Sequence, residues 1–586
     1  MQRKNQLMTP GETNKARPLI WLRIAVHLGL LLLFAAVTSH GFFDRAALLI
    51  ENHRMTTLIF YIGVWGVSLG ALLIAALQPG RKLRAFWAFV IALSTAAAYG
   101  YRYVSASDLS VFDILSLWTA RHETELAFSF YREAGLWALL VFAVCFVLIY
   151  SVPSSPSRGF NRLLTWFGWA PAVPVCLIAA IVMLKSGGGS QAMPAQFQPL
   201  AVSAMAGFKV ATLDQQQRRA VDIEPGPSKP VSSILMLIDE SVRADYLDWN
   251  PGNPYTPELA ANRAHFVNFG HAVSGGNCSS YSNAILRMGP MRENIPATIR
   301  TNPTLWQYAK KAGFRTVFID GQSGRIKDPS KMQNFMTPDE TRFIDRHVTF
   351  SADVPPTRLD DKVNEIIREE MSHDRLVFIY ANRTGAHFPY DKHYPADQSR
   401  FKPTFREAGS LKARINSYRN LVAWSVDRLV SHLHRDLDLN DAVVLYTSDH
   451  GQNIQTGALT HCSTRNADPR EALVPMLVMT GNPTLKARFQ NAAALNHNKI
   501  SHFALAATAI ELMGYRPGDV SRNHDPSLFM AQPDRPRAFT SGDVFGIFRK
   551  EVTWNPIDLN VNYLEPEAMT PLAMTRHDAP ASVTAQ

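Results

Sequence analysis

Three apolar runs in this chain end on side chains that can do chemistry. Leu235-Met236-Leu237-Ile238 is followed by Asp239 and Glu240, and Val443-Val444-Leu445-Tyr446 by Thr447, Ser448, Asp449, His450 and Gly451. Val377–Tyr380 leads into a loop that ends on His387, and His461 follows a little way beyond His450. Carboxylate and imidazole together form a donor set for Zn²⁺ or Mn²⁺. A lone acid behind a strand serves equally well as a cap, but Asp449-His450-Gly451 is a poor cap. The glycine would permit a tight turn that brings both side chains to one point. A hydroxyl is at hand as well. The segment Ser274–Gly289 starts Gly-rich and reads as a helix from Tyr281, which leaves Ser279 and Ser280 at its N-terminus. The positive end of a helix dipole favours an alkoxide and a bound phosphate, and metal coordination would lower the hydroxyl pKa further. Arg325 and Lys327 are basic candidates for holding a phosphate, with a solvated loop as the plain alternative.

The elements that must position these groups form an α/β pattern. Short β-rich runs occur at Ser233–Ile238, Arg315–Ile319, Leu376–Tyr380, Ala442–Tyr446 and Met476–Met479. Helical stretches lie between them at Pro303–Ala312, Asp360–Met371 and Ala413–Asp436. Continuous apolar strands alternating with helices imply a mostly parallel sheet covered on both faces. Ligands of such sheets gather at the carboxyl ends of the strands, where the acids and histidines stand. This domain is expected over 233–555, with 556–586 as a C-terminal tail.

The first 186 residues are of another kind. Apolar runs at Leu19–Ser39, Thr57–Leu77, Ala85–Val104, Gly135–Val152 and Thr165–Leu184 are each near the ~20 residues a helix needs to cross a bilayer. They predict a five-helix transmembrane domain over 1–186. A signal peptide is a poor reading of the first run, since four more follow. Ser105–Glu133, between the third and fourth runs, reads as one or two helices at the outer surface or as a packing element between crossings. Residues 187–232 open on Ser186-Gly187-Gly188-Gly189-Ser190 and read as a linker, with a short amphipathic helix near Leu200–Leu213.

Charge follows the same division. The chain carries 59 Lys+Arg against 49 Asp+Glu, a net +10, which invites a nucleic-acid reading. Residues 1–186 hold 16 of the basic and 8 of the acidic residues, so the soluble half is nearly neutral. The basic residues cluster before the first run and after the second and fourth, which puts the N-terminus in the cytoplasm and the soluble half across the membrane. The excess is a topology signal, and no nucleic-acid partner is expected.

Together the motifs resemble the membrane-anchored phosphoethanolamine transferases, a sulfatase-like branch of the alkaline-phosphatase superfamily. Leu237–Asp245 looks like that branch's first metal motif, with Glu240 as ligand, and Ser448–Gly451 like its second, with Asp449 and His450 as ligands. His387–Pro395 is similar to its substrate loop, which implies a phosphate-contacting role for His387. His461 matches a histidine placed on the transferred phosphate or on a second metal. The resemblance implies a Zn²⁺ site (Mn²⁺ as alternative) that also takes the Ser279 hydroxyl. It implies transfer of phosphoethanolamine from a phospholipid donor to an envelope glycolipid or glycan through a phospho-serine enzyme. The setting it implies is a bacterial inner membrane with a periplasmic catalytic domain. Phosphoglycerol transfer at the same site, or an inactive sulfatase-like lipid sensor, are the alternatives. Several departures stand out. The family nucleophile is usually Thr, and spacing to Gly289 favours Ser279 over Ser280. The x-Pro-Ser-Arg that follows a formylglycine-forming residue is absent after both Cys278 and Ser279, which argues against a sulfatase. Gln452 and Asn453 stand where Glu is frequent. Cys278 and Cys462 each adjoin a site residue, either as a disulfide in an oxidising compartment or with Cys278 free near the metal. Cys145 and Cys176 lie in apolar runs as filler.

Overall fold

The computed structural model describes residues 10–105, 107–119, 131–212, 218–322, 338–351, 353–372 and 376–569. Its soluble half is built on a seven-stranded sheet. The strands are β1 (Ser233–Asp239), β2 (Val267–Val273), β3 (Arg315–Asp320), β4 (Arg346–Thr349), β5 (Val377–Asn382), β6 (Ala442–Ser448) and β7 (Leu473–Met479). Their order is β2-β7-β6-β1-β5-β3-β4. β1 is central and parallel to both β5 and β6, while β7 runs antiparallel to β6 and β2. A separate antiparallel pair joins β8 (Ala538–Ser541) and β9 (Thr553–Pro556).

The apolar runs are continuous because both faces of the sheet are covered. Ile234, Met236 and Ile238 of β1 enter one core with Phe378, Tyr380, Val443 and Leu445. Leu235 and Leu237 enter the other with Val377, Ile379, Val444 and Tyr446. This period-two alternation with apolar residues on both sides is what a doubly covered sheet requires. The expected α/β fold is therefore present.

Among the described residues, the N-terminal part holds four helices long and apolar enough to cross a membrane: Pro18–Thr38, Met55–Leu77, Arg81–Ser105 and Arg132–Tyr150. The fifth apolar run is divided into a helix over Arg158–Trp166 and a second over Ala172–Leu184. The second has 13 residues, a rise of about 20 Å, short of the ~30 Å hydrocarbon thickness. The break suits its surroundings, since the Gly168 carbonyl accepts from the Trp87 indole at 2.8 Å.

The segment after that helix is not free. Gly187 and Gly189 both take φ +86°, so the glycines serve left-handed turns. The Ala192 carbonyl then accepts from Tyr61 Oη at 2.7 Å and Trp65 Nε1 at 3.1 Å, and Ser94 donates to the Ala195 carbonyl at 3.1 Å. A chain folded onto an apolar bundle must find such partners for its backbone. A helix over Gln198–Thr212 follows.

Of the segment between the third and fourth membrane helices, Val111–Thr119 is helical and packs between crossings and soluble domain. Phe112 meets Phe548 edge-on at 5.9 Å, and Asp113 accepts from Thr464 at 2.6 Å. At the other end of the chain, Glu565 lies within the stretch read as a tail and is fully buried. It accepts from Arg243 and from Tyr246, both at 2.7 Å.

One buried ion pair decides how the end of β1 is used. Asp239 takes Arg383 in a bidentate pair at 2.6 and 2.8 Å, and both side chains are fully buried. Tyr446 donates to the same carboxylate at 2.7 Å. Asp239 thus ties β1 to β5 and β6 and leaves Glu240 to face the strand ends. Removing one partner of a buried pair strands the other's charge. Asp239→Ala is expected to lower unfolding free energy by about 3–5 kcal/mol, measured by chemical denaturation in detergent; an unchanged midpoint would contradict this role.

Candidate active site

Glu240 follows β1 and Asp449-His450 follow β6, on neighbouring strands with Asp239 opposite Ser448. The two strand ends are cross-tied. Asp449 N–H donates to the Asp239 carbonyl at 2.8 Å, Ser241 N–H to Asp449 Oδ1 at 3.2 Å, and Val242 N–H to Ser448 Oγ at 2.7 Å. Glycine matters here for close approach. A Cβ on Gly451 would lie 2.2 Å from the Arg470 carbonyl oxygen, and its φ is not left-handed. Gly385, at φ +51°, would place a Cβ 2.5 Å from the Glu240 carbonyl oxygen. The turn expected of Gly451 is thus a contact instead, and the left-handed residue next to the acids is Ser241, at φ +61°.

The Ser279–Met288 helix starts two residues earlier than its sequence pattern suggests, with Cys278 as N-cap. Its first hydroxyl, Ser279 Oγ, lies 3.1 Å from Glu240 Oε2 and 3.1 Å from His450 Nε2. Ser280 stands one residue on, turned by about 100° around the helix axis. His450 Nε2 is also 3.0 Å from Glu240 Oε1 and 3.8 Å from Asp449 Oδ2. Its Nδ1 pairs with the Gly451 carbonyl at 2.7 Å, which makes Nδ1 the protonated nitrogen and aims Nε2 at the cluster.

One donor atom each from Glu240, His450 and His461 lie within 4.8 Å of one another. The His461 ring stacks on His450 at 4.5 Å and stands 6.1 Å from His387. Arg325 and Lys327 lie outside the described residues.

The charges at this point are poorly matched without a cation. Burial raises the Glu240 carboxyl, but the His450 charge and hydrogen bond outweigh it and hold the group well below the usual range. Burial and then the Glu240 charge push Asp449 well above it. Burial lowers His450, yet Asp449 and Glu240 together raise it to about 10. Burial, with His450 beside it, holds His461 well below its ordinary value. A proton on His450 therefore offsets Glu240 while Asp449 is driven toward its neutral form, an imbalance that a divalent cation fits, with His461 neutral and able to ligate. The donor set, two carboxylates and two imidazoles, suits Zn²⁺ or Mn²⁺.

Other side chains brace this cluster, and the sequence pattern did not reveal them. Asn283, one turn after Ser279, donates to the Ser279 carbonyl at 3.0 Å and accepts from Tyr380 at 2.8 Å. Ser282 hydrogen-bonds His502 at 2.9 Å, and His502 also pairs with Thr447 at 3.2 Å. Burial lowers His502 to about 3, so it acts as a neutral bridge. Helical spacing from Ser279 is the one signal that could have pointed to Asn283. Cys278 and Cys462 form a disulfide. Asn277, just before it, donates to Glu471 Oε2 at 2.7 Å and to the Ser463 carbonyl at 2.8 Å.

The family model described as Sulfatase matches residues 232–515. A Kdo(2)-lipid A phosphoethanolamine 7''-transferase of Salmonella typhimurium is 29% identical over 311 residues, covering 50% of this chain and 54% of that protein. The protein of the same name from Escherichia coli is 24% identical over 304 residues, 50% of this chain and 53% of the relative. The chain thus spans about half the length of these curated relatives. Among solved structures, the integral membrane lipooligosaccharide phosphoethanolamine transferase A of Neisseria meningitidis superposes with a TM-score of 0.59 at 16% identity. That match covers 87% of this chain and 99% of the other, and it extends the shared fold through the apolar helices.

Glu471 yields a prediction. It is 1% exposed, and burial raises its carboxyl from 4.5 to about 7. The fold prefers the protonated acid, so this stabilisation is complete below pH 4.5 and is lost as pH rises through 7. Glu471→Gln is expected to remove a pH-dependent loss of roughly 3 kcal/mol over that range. Denaturation midpoints of the two proteins across pH 4–8 measure it; parallel profiles would contradict the assignment.

Proposed function

We propose that this chain, whose residues 232–515 match the Sulfatase family model, moves phosphoethanolamine from a membrane phospholipid to an envelope glycolipid of the lipid A class. The observation that carries the reading is the Ser279 hydroxyl, 3.1 Å from both Glu240 and His450, at the start of a helix. The names of the similar transferases from Salmonella and Escherichia coli support the substrate class.

Glu240, Asp449, His450 and His461 would hold Zn²⁺, or Mn²⁺. When bound, the cation supplies Lewis-acid charge that lowers the hydroxyl pKa and offsets phosphoryl charge. Ser279 Oγ attacks the phosphorus of phosphatidylethanolamine. An Oγ–P bond forms and the bond from phosphorus to the diacylglycerol oxygen breaks, leaving phosphoethanolamine on Ser279. The hydroxyl proton passes to water as the Oγ–P bond forms, since Glu240, 3.1 Å away, is held too acidic to keep it. His387, its ring 6.1 Å from that of His461, delivers a proton to the leaving oxygen. An acceptor phosphate or hydroxyl then attacks the same phosphorus and frees Ser279.

The apolar helices support a donor taken from the bilayer. Tyr131, which caps the Arg132–Tyr150 helix, meets Thr460 at 3.4 Å and the Phe388 ring at 6.1 Å. Those two residues adjoin His461 and His387, so the anchor touches both loops of the site. The charge pattern supports an inner-membrane protein with this site on the periplasmic side.

Ser279→Ala is expected to cut transfer from labelled phosphatidylethanolamine to lipid A by about 10³-fold or more, with folding and metal content unchanged, while Ser280→Ala keeps most of it. The opposite ranking would move the nucleophile to Ser280. Transfer from phosphatidylglycerol but not phosphatidylethanolamine would change the donor.

A further inference from the structure

The helix that begins with Ser279 and the loop that carries His461 come from distant parts of the chain. Three kinds of bond join them at one place. The Cys278–Cys462 disulfide spans 184 residues of sequence. Cys462 N–H donates to the Asn277 carbonyl at 2.7 Å. Asn277 Nδ2 reaches the Ser463 carbonyl and the buried Glu471 carboxyl, which in turn accepts from Ser463 N–H at 3.1 Å. Cys278 directly precedes Ser279, and Cys462 directly follows His461.

Cys278 is the helix N-cap and makes no side-chain cap bond. Cys462 has φ +63°, a backbone conformation that non-glycine residues rarely adopt unless something holds them there. Residues 452–468 contain no regular helix or strand, so the loop bearing His461 has little hydrogen-bonded structure of its own. Both sulfurs pack against a small core around Tyr281, Ile285 and Met288, separate from the two cores that cover the sheet.

We propose that the Cys278–Cys462 disulfide is a positioning element of the site and a redox latch on it. Closed, it holds His461 beside Glu240 and His450. Opened, it removes the covalent tie next to His461, leaves the loop on its hydrogen bonds to Tyr131, Asp113 and Asn277, and weakens metal binding while the sheet stays folded. A dithiol reductant of the envelope would supply two electrons and two protons; the S–S bond breaks, Cys278 and Cys462 become thiols, and the reductant leaves as a disulfide. Cys278 is 3% exposed, whereas Cys462 is partly open to solvent and offers the point of attack. The inference rests on the metal-dependent reading of the site, but not on the identity of donor or acceptor.

The experiment uses the full chain in detergent and measures zinc affinity by competition with a chromogenic chelator. Near-UV circular dichroism and thermal melting follow the fold. Cys278→Ser/Cys462→Ser is expected to bind zinc roughly 10–100-fold more weakly, the loss typical when a group that orients a ligand is removed. Wild-type protein reduced with a phosphine and desalted should fall to the same affinity with its dichroism retained, and recover on reoxidation; the double variant should not respond. Zinc affinity equal to wild type in the variant, or in the reduced and still folded protein, would overturn the latch. So would a loss of zinc that only tracks loss of dichroism, which would make the disulfide a general staple. Should the double variant not fold, reduction of the folded wild type decides alone. If no protein preparation binds zinc, the metal reading fails instead; if zinc and redox behave as expected without phosphoethanolamine transfer, only the substrate reading fails.

Discussion

Two carboxylates buried beside each other, Glu240 and Asp449, are the constraint on which the rest of this structure turns. Each sits at the end of a central parallel strand, and Glu240 with burial pushes Asp449 up while His450 holds Glu240 down. Buried like charges cannot both persist without a positive partner. His450 supplies one as a proton, and a divalent cation supplies one more strongly. The Ser279 hydroxyl enters at that point, so the group that needs activation is placed where positive charge is demanded.

Holding this arrangement takes rigid parts. The register of β1 with β6 brings Asp239 opposite Ser448. Asp239 itself is consumed by Arg383, so only one of two adjacent acids is left to face the site. Asn283, Ser282 and His502 fix the Ser279 helix against the end of β6. On the membrane side, Asp113 holds Thr464 and Tyr131 reaches Thr460. The loop that bears His461 is therefore pinned between the apolar helices and the sheet, with the disulfide as its covalent tie.

Much of this was legible in the sequence, and the reasons for the remainder are physical. β1, β3, β5 and β6 announce themselves because sheets covered on both faces need unbroken apolar runs. β2 did not, since Asn268, Gly270 and His271 interrupt it and leave those positions half-buried next to a register shift. The acids and histidines could be read from their place after strands. Asn277, Asn283 and Glu471 could not, because their partners lie across the fold and no local spacing marks them. The glycines at Gly187–Gly189 looked like a flexible tether; left-handed φ values and the partners waiting at Ala192 and Ala195 make the segment part of the bundle. The basic excess was read correctly as belonging to the apolar part, because charge location can be counted directly.

The central claim is that metal and nucleophile meet at one point made by Glu240, Asp449, His450 and Ser279. Diffraction from zinc-loaded crystals of the full chain, recorded on both sides of the zinc absorption edge, tests it most directly. The account requires an anomalous peak within bonding distance of Glu240, Asp449, His450 and His461, with Ser279 Oγ as the nearest hydroxyl. A peak elsewhere, or one beside Ser280 with Ser279 turned away, would contradict it.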